Sequence, residues 1–134
     1  MILLELPANY KYLNIIGACI SAILEREDDL EEQDVLKASL ELAVHEACTN
    51  IVEHAYSGDA GRIKLYLVVV DNPRRLEIKI HDTGKSFTIE DIKIPNVGEV
   101  QVRGYGLFLI HQLVDEVTYL PEVGNNQWRL VKKL

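Results

Sequence analysis

Two segments with apolar residues at helical spacing, a central pair of alternating strands joined by an Asp-Asn-Pro-Arg turn, and two short closing strands around a Gly-Asn-Asn sequence predict an α+β fold. The expected form is a two-layer α/β sandwich, with a mostly antiparallel sheet of about five strands covered on one face by helices. Residues Ile2 to Leu6 make a short strand that Pro7 closes. From Ala8 to Glu27, Leu13, Ile16, Ile20, Ile23 and Leu24 recur at the spacing of one helix face. The acidic stretch Glu25 to Asp34 breaks that pattern and reads as a solvated connector. A second helix is predicted from Gln33 to Tyr56, with Leu36, Leu40, Ala43, Val44, Ala47, Ile51 and Ala55 on one side and Ser57-Gly58 as its stop.

Gly61 to Val70 and Arg75 to His81 alternate, so that Ile63, Leu65, Leu67 and Val69 face Leu76, Ile78 and Ile80 across the turn Asp71 to Arg74. From Thr88 to Arg103 no period is sustained, and Pro95 and Gly98 interrupt the chain, which is the pattern of a lid-like loop. Gly106 to Glu116 is predicted as a third helix through Leu109, Ile110 and Leu113, followed by strands Val117 to Leu120 and Gln127 to Val131. No repeat or linker divides the chain, so residues 1–134 are expected to form one domain.

The chain has 134 residues, 48% hydrophobic and 26% charged, enough for a single globular core. Its formal net charge of −7 argues against direct nucleic-acid binding, which needs clustered Lys and Arg against phosphates. Cys19 and Cys48 fall in apolar helical stretches, where a small buried hydrophobe is commoner than a disulfide or a nucleophile. The N-terminus lacks a basic n-region and a long apolar h-region, and no run reaches the ~18 apolar residues of a membrane span. A cytoplasmic protein with no membrane partner is expected.

Three near-motifs fail on spacing. Gly84-Lys85-Ser86 lacks the first glycine of a P-loop, because Lys79 holds that position. Gly104-Tyr105-Gly106 has Leu109 where a dinucleotide fingerprint needs its third glycine. His45-Glu46 begins a zinc-protease motif whose second histidine is replaced by Thr49.

Three polar features remain. Glu46 and Asn50, four residues apart on the second helix, share a face about 100° round from most of the apolar stripe and open to solvent or a ligand. Such a pair is most often a solvated face, and His54, nearer the apolar arc, reads as a core histidine. Asp82-Thr83-Gly84 follows a strand, with Phe87 beyond it. That is usually a turn, but a carboxylate there also accepts the exocyclic amine of adenine, and glycine lets a ring approach the backbone. Arg103-Gly104-Tyr105-Gly106-Leu107 leads into a helix, where glycine is either a cap or part of a phosphate site formed by backbone N–H groups.

In this order the three features resemble the nucleotide site of the GHKL ATPase/kinase superfamily. Glu46-x-x-x-Asn50 is similar to its N box, Asp82-x-Gly84-x-x-Phe87 to its first glycine box, and Gly104-x-Gly106-Leu107 to its second. Within the superfamily, Asn50-Ile51-Val52-Glu53-His54-Ala55-Tyr56 and the run Gly106 to Ile110 leading into Val114-Asp115-Glu116-Val117 most resemble the stand-alone anti-sigma-factor serine/threonine kinases. The resemblance implies ATP and Mg²⁺ as cofactors, with Asn50 coordinating Mg²⁺, Asp82 holding adenine, Gly84 lining the base pocket, and Gly104, Gly106 and Leu107 in the lid motif. It also implies Glu46 as general base and Arg103 as a γ-phosphate contact, although an exposed arginine is commonly just surface.

The partners implied are an anti-anti-sigma (antagonist) protein as substrate and a sigma factor, and relatives of this type often form homodimers. Two departures stand out. Asn14 occupies the first-helix position where relatives carry a partner-binding arginine, and the last hairpin reads Gly124-Asn125-Asn126 where many have glycine-threonine supporting the adenine aspartate. Asn126 has an amide able to make a similar hydrogen bond. Two other readings of the same residues are a partner-switching module that binds ATP with little phosphoryl transfer, and a detached ATPase domain of the histidine-kinase type.

Overall fold

A computed structural model describes residues 1–86 and 105–134. Strand β1 (Ile2–Pro7) leads through a 3₁₀ turn (Tyr10–Tyr12) into helix α1 (Asn14–Leu24). Helix α2 (Gln33–Asn50) continues as a π-helical turn (Ile51–Ala55), then come β2 (Arg62–Val70) and β3 (Arg75–Asp82). Helix α3 (Tyr105–Leu113), β4 (Glu116–Leu120) and β5 (Asn126–Lys133) complete the described chain. The Thr88 to Arg103 segment expected as a loop lies outside the described residues.

The sheet has five strands in the order β1-β2-β3-β5-β4, every pair antiparallel. Its register explains the core. Leu4, Leu65, Ile80, Trp128 and Tyr119 stand side by side across all five strands, and Ile2, Leu67, Ile78, Leu130 and Val117 form a second row. Both rows lie on one face because side chains alternate with a period of two. The helices cover that face with Ile16, Ile20 and Leu24 of α1, Leu40, Ala43, Val44 and Ala47 of α2, and Ile110 of α3, all buried.

One row further along, the same face carries Leu6, Ile63, Asp82 and Asn126, the last two buried polar groups at the end of an apolar sheet. The opposite face is ionic, with Arg129 bridging Glu77 at 2.7 Å and Glu116 at 3.0 Å.

The first helix is shorter than its apolar spacing suggested, because Asn9 caps the 3₁₀ turn by accepting from the Lys11 N–H and so starts a separate element. The acidic connector is solvated as expected, yet it is anchored: Arg74 in the β2–β3 turn donates to the carbonyl of Asp28 at 2.7 Å. Replacing Leu65, on β2 in the five-strand row and fully buried, by alanine is expected to cost about 2–5 kcal/mol of stability, read from a shifted midpoint in urea unfolding.

Candidate nucleotide site

Helix α2 ends at Asn50, and the chain then widens into a π turn in which the Tyr56 N–H bonds the carbonyl of Ile51, five residues back. Wide turns of this kind are local insertions that re-aim the residues after them. The helix expected to run unbroken to Tyr56 is therefore two elements, and the change of phase turns His54 outward. Its side chain is 49% exposed rather than part of the core, which corrects the expectation of a core histidine. Beside it, Glu53 accepts a hydrogen bond from the Tyr10 hydroxyl at 2.9 Å.

Glu46 and Asn50 do share a face, but the face is not open to solvent. Asn50 is 8% exposed and Glu46 half-buried, so the position read as off the apolar stripe is enclosed. Asn50 Nδ2 has no hydrogen-bond partner among the described residues, and no described residue pairs with the Glu46 carboxylate. A buried amide without a partner loses the hydrogen bonds that water would have given it, unless a ligand supplies them.

Asp82, at the end of β3, is 1% exposed. Its Oδ1 accepts from the Gly84 N–H and from Asn126 Nδ2, each at 3.0 Å, whereas Oδ2 has no partner among the described residues. Asn126 Nδ2 donates also to the Gly84 carbonyl at 2.9 Å, and its Oδ1 accepts from the Glu122 N–H and the Ser86 hydroxyl. The amide at position 126 thus makes the supporting hydrogen bond expected of it and three more. Burial pushes the Asp82 carboxyl above the ordinary carboxylate value of 3.8, against the opposing effects of Asn126, the Gly84 N–H and His81. Nearby, the Cys48 thiol is pushed up to about 12 by burial and then by the Asp82 charge, so it stays protonated. Both cysteines are free.

Gly84 lies against the π turn. A Cβ there would come within 2.5 Å of the Ala55 carbonyl oxygen, and that carbonyl accepts from the Lys85 N–H at 2.7 Å. The observed reason for glycine is this backbone-to-backbone approach, which joins the turn after Asn50 to the segment after Asp82. Leu107, 3% exposed, belongs to the core, and Gly106 lies in the first turn of α3. Phe87, Arg103 and Gly104 lie outside the described residues. Asn14 borders a groove of about 430 Å³ between α1 and α2 that Leu13, Gly17, Glu41, Leu42 and His45 also line. Ala55 and Ser86, not singled out in the sequence, join the site through backbone and hydroxyl contacts that no motif spacing reveals.

An acceptor oxygen buried without a partner at the sheet end, and an unpartnered amide with a carboxylate one helical turn away, are polar groups that a ligand would satisfy. In comparison with known proteins, residues 6–132 match the family described as the histidine kinase-like ATPase domain. The serine-protein kinases RsbW of Bacillus thuringiensis (strain Al Hakam) and of Bacillus anthracis are each 32% identical, over 90% of this chain and 78% of theirs.

Two solved structures share the fold. The histidine kinase domain of the Erythrobacter litoralis EL346 blue-light activated histidine kinase superposes with a TM-score of 0.61 at 23% identity, covering 96% of this chain and 62% of that one. The RsbU and RsbW domains of Rv1364c from Mycobacterium tuberculosis give a TM-score of 0.64 at 17% identity, covering 100% of this chain and 33% of that one. The chain belongs to the histidine kinase-like ATPase domain family and, within it, to the group that the RsbW serine-protein kinases represent. No helix among the described residues is long and apolar enough to cross a membrane.

Asp82 accepts from an exocyclic amine best when ionised, because a proton on the oxygen that lacks a partner would set a hydroxyl against the amine. If Asp82 holds the base, ATP affinity is expected to fall as the pH drops through its carboxyl, which stands above 3.8, and to return as the pH rises back through it. Calorimetric titrations between about pH 4 and pH 7, with Asp82→Asn as the control lacking this inflection, check it.

Proposed function

We propose that this chain is a Mg-ATP-dependent serine/threonine protein kinase acting as an anti-sigma regulatory factor, which phosphorylates a small antagonist protein and, when free of it, sequesters a sigma factor. The observation that carries the nucleotide half of this reading is the unpartnered Oδ2 of the buried Asp82, an acceptor already desolvated and lacking a donor. Adenine has the amine that would satisfy it, while guanine would set a carbonyl against it, a mismatch costing about 1–3 kcal/mol. The kinase half rests on Glu46, one turn before Asn50 and about 6 Å from it along the helix axis.

Asn50 would hold the metal and phosphates. Its amide offers a donor nitrogen to a phosphate oxygen and a carbonyl oxygen to a hard cation, and Mg²⁺ bound there would supply charge neutralisation. Glu46 would take the proton of the attacking serine hydroxyl, a role that a half-buried carboxylate unpaired among the described residues suits. Arg103, Gly104 and Gly106 would complete the phosphate side, with Leu107 packed in the core behind them. The antagonist and sigma partners are supported by the likeness to proteins named serine-protein kinase RsbW. The α1–α2 groove beside Asn14 is a surface on which such a protein could bind.

A base that acts only in the chemical step contributes to the transition state and not to ground-state binding. Glu46→Gln is expected to keep ATP and partner affinity while losing phosphoryl transfer by roughly 10²–10⁴-fold, read as acid-stable phosphoserine from radiolabelled ATP on a partner recovered by pull-down. A wild type that labels no partner, yet exchanges partners on adding ATP, would establish the non-catalytic switch instead. Asn50→Ala is expected to leave the far-ultraviolet spectrum intact and to abolish the magnesium dependence of nucleotide affinity. Equal titrations with and without Mg²⁺ in the wild type would remove Asn50 from the metal site.

A further inference from the structure

Tyr56 is the first residue beyond the π turn, and it is 9% exposed. Its hydroxyl donates to the Arg62 carbonyl at 2.7 Å, accepts from the Thr83 N–H at 3.0 Å, and lies 3.4 Å from Thr83 Oγ1. Gly61 makes room for the ring, since a Cβ at position 61 would run into its edge. One phenol therefore joins the first residue of β2 to the residue that follows Asp82.

Thr83 is the middle of a small turn. Asp82 Oδ1 accepts from the N–H of Gly84, two residues on, which folds the chain over Thr83 in the manner of an Asx turn. With Oδ1 held in this way, the direction of Oδ2 depends on the shape of that turn, and the Tyr56 hydroxyl grips its centre from the helical layer. The adjoining bond from Lys85 N–H to the Ala55 carbonyl holds the far side. A buried tyrosine hydroxyl needs a partner wherever it lies. Here its two backbone partners belong to Thr83 and Arg62, residues that are themselves exposed.

We propose that Tyr56 is a positioning residue for adenine recognition, its hydroxyl fixing the Asp82-Thr83-Gly84 turn so that the free Asp82 oxygen is aimed at the base. This rests on the nucleotide reading above. Tyr56→Phe keeps the ring in the space under Gly61 and deletes only the hydroxyl, with its bonds to Thr83 and to the Arg62 carbonyl. Gly61→Ala displaces the ring and leaves the phenol chemically intact.

The experiment is calorimetric titration of the wild type and both variants with Mg-ATP, Mg-GTP and Mg-tripolyphosphate, the last a probe without a base. Both variants are expected to lose ATP affinity about tenfold and to narrow the ATP-over-GTP preference, with tripolyphosphate affinity unchanged. A purely structural role for Tyr56 would weaken ATP and tripolyphosphate together, and that result overturns the proposal. So does wild-type ATP affinity in Tyr56→Phe. A wild type with no preference for ATP over GTP overturns the nucleotide reading and this inference with it.

Discussion

The approach of the Ala55 carbonyl to Gly84 and the Lys85 N–H is the constraint on which the site depends, because it fixes how the helical layer meets the end of the sheet. Everything polar in the site is arranged about that junction. On the helical side Asn50 closes α2 just before the turn that carries Ala55, and on the sheet side Asp82 stands two residues before Gly84. A side chain at position 84 would force backbone apart from backbone and separate the helix end at Asn50 from the strand end at Asp82. The π turn is what allows so close an approach, since a regular helix through Ala55 would present different atoms to the strand end.

Asp82 illustrates the cost of holding such a site ready. A carboxylate 1% exposed and lacking a partner at one oxygen is under-solvated, and its raised proton affinity expresses that. Since its folded-state value stands above the unfolded one, the stabilising contribution is present at low pH and is lost as the pH rises through the folded value. When ionised, Asp82 is a charged group in the ligand-free fold that water would solvate better. Asn126 limits the penalty: one amide occupies Oδ1 of Asp82 and the Gly84 carbonyl, and its own oxygen takes two donors. Binding sites commonly trade stability for function in this way.

Much of this was legible in the sequence, and the exceptions have physical causes. The alternation in β2 and β3 set every buried apolar position of the central hairpin, because a period of two leaves a single way to hide Ile63, Leu65 and Leu67 together with Leu76, Ile78 and Ile80. Asp82 and Gly84, read together from their spacing, are joined by the hydrogen bond from the Gly84 N–H to Asp82 Oδ1. Helical phase failed at the π turn: the period of 3.6 assumes regular winding, so it put His54 in the core. Asn50 precedes that turn, and its burial depends on what packs around the helix end, which phase does not report. The role of Tyr56 was hidden for a related reason. Its partners are main-chain atoms of Arg62 and Thr83, and main-chain atoms leave no mark in side-chain patterns.

Helix α2 is fastened at both ends. At its start the Gln33 amide donates to the Leu24 carbonyl at 2.8 Å and Lys37 pairs with Glu25 at 2.9 Å, and past its end Ala55 and Tyr56 are bonded to the strand side. In mechanical terms it is a strut clamped at each end, and such a member transmits displacement along its length instead of absorbing it. The compliant piece is the wide turn between the strut and its far clamp, where the winding already departs from the stiffest form. A ligand that pulls Asp82 and Asn50 together thus loads the five residues from Ile51 to Ala55 first, and the rest of the helical layer moves only to the extent that those five do not yield.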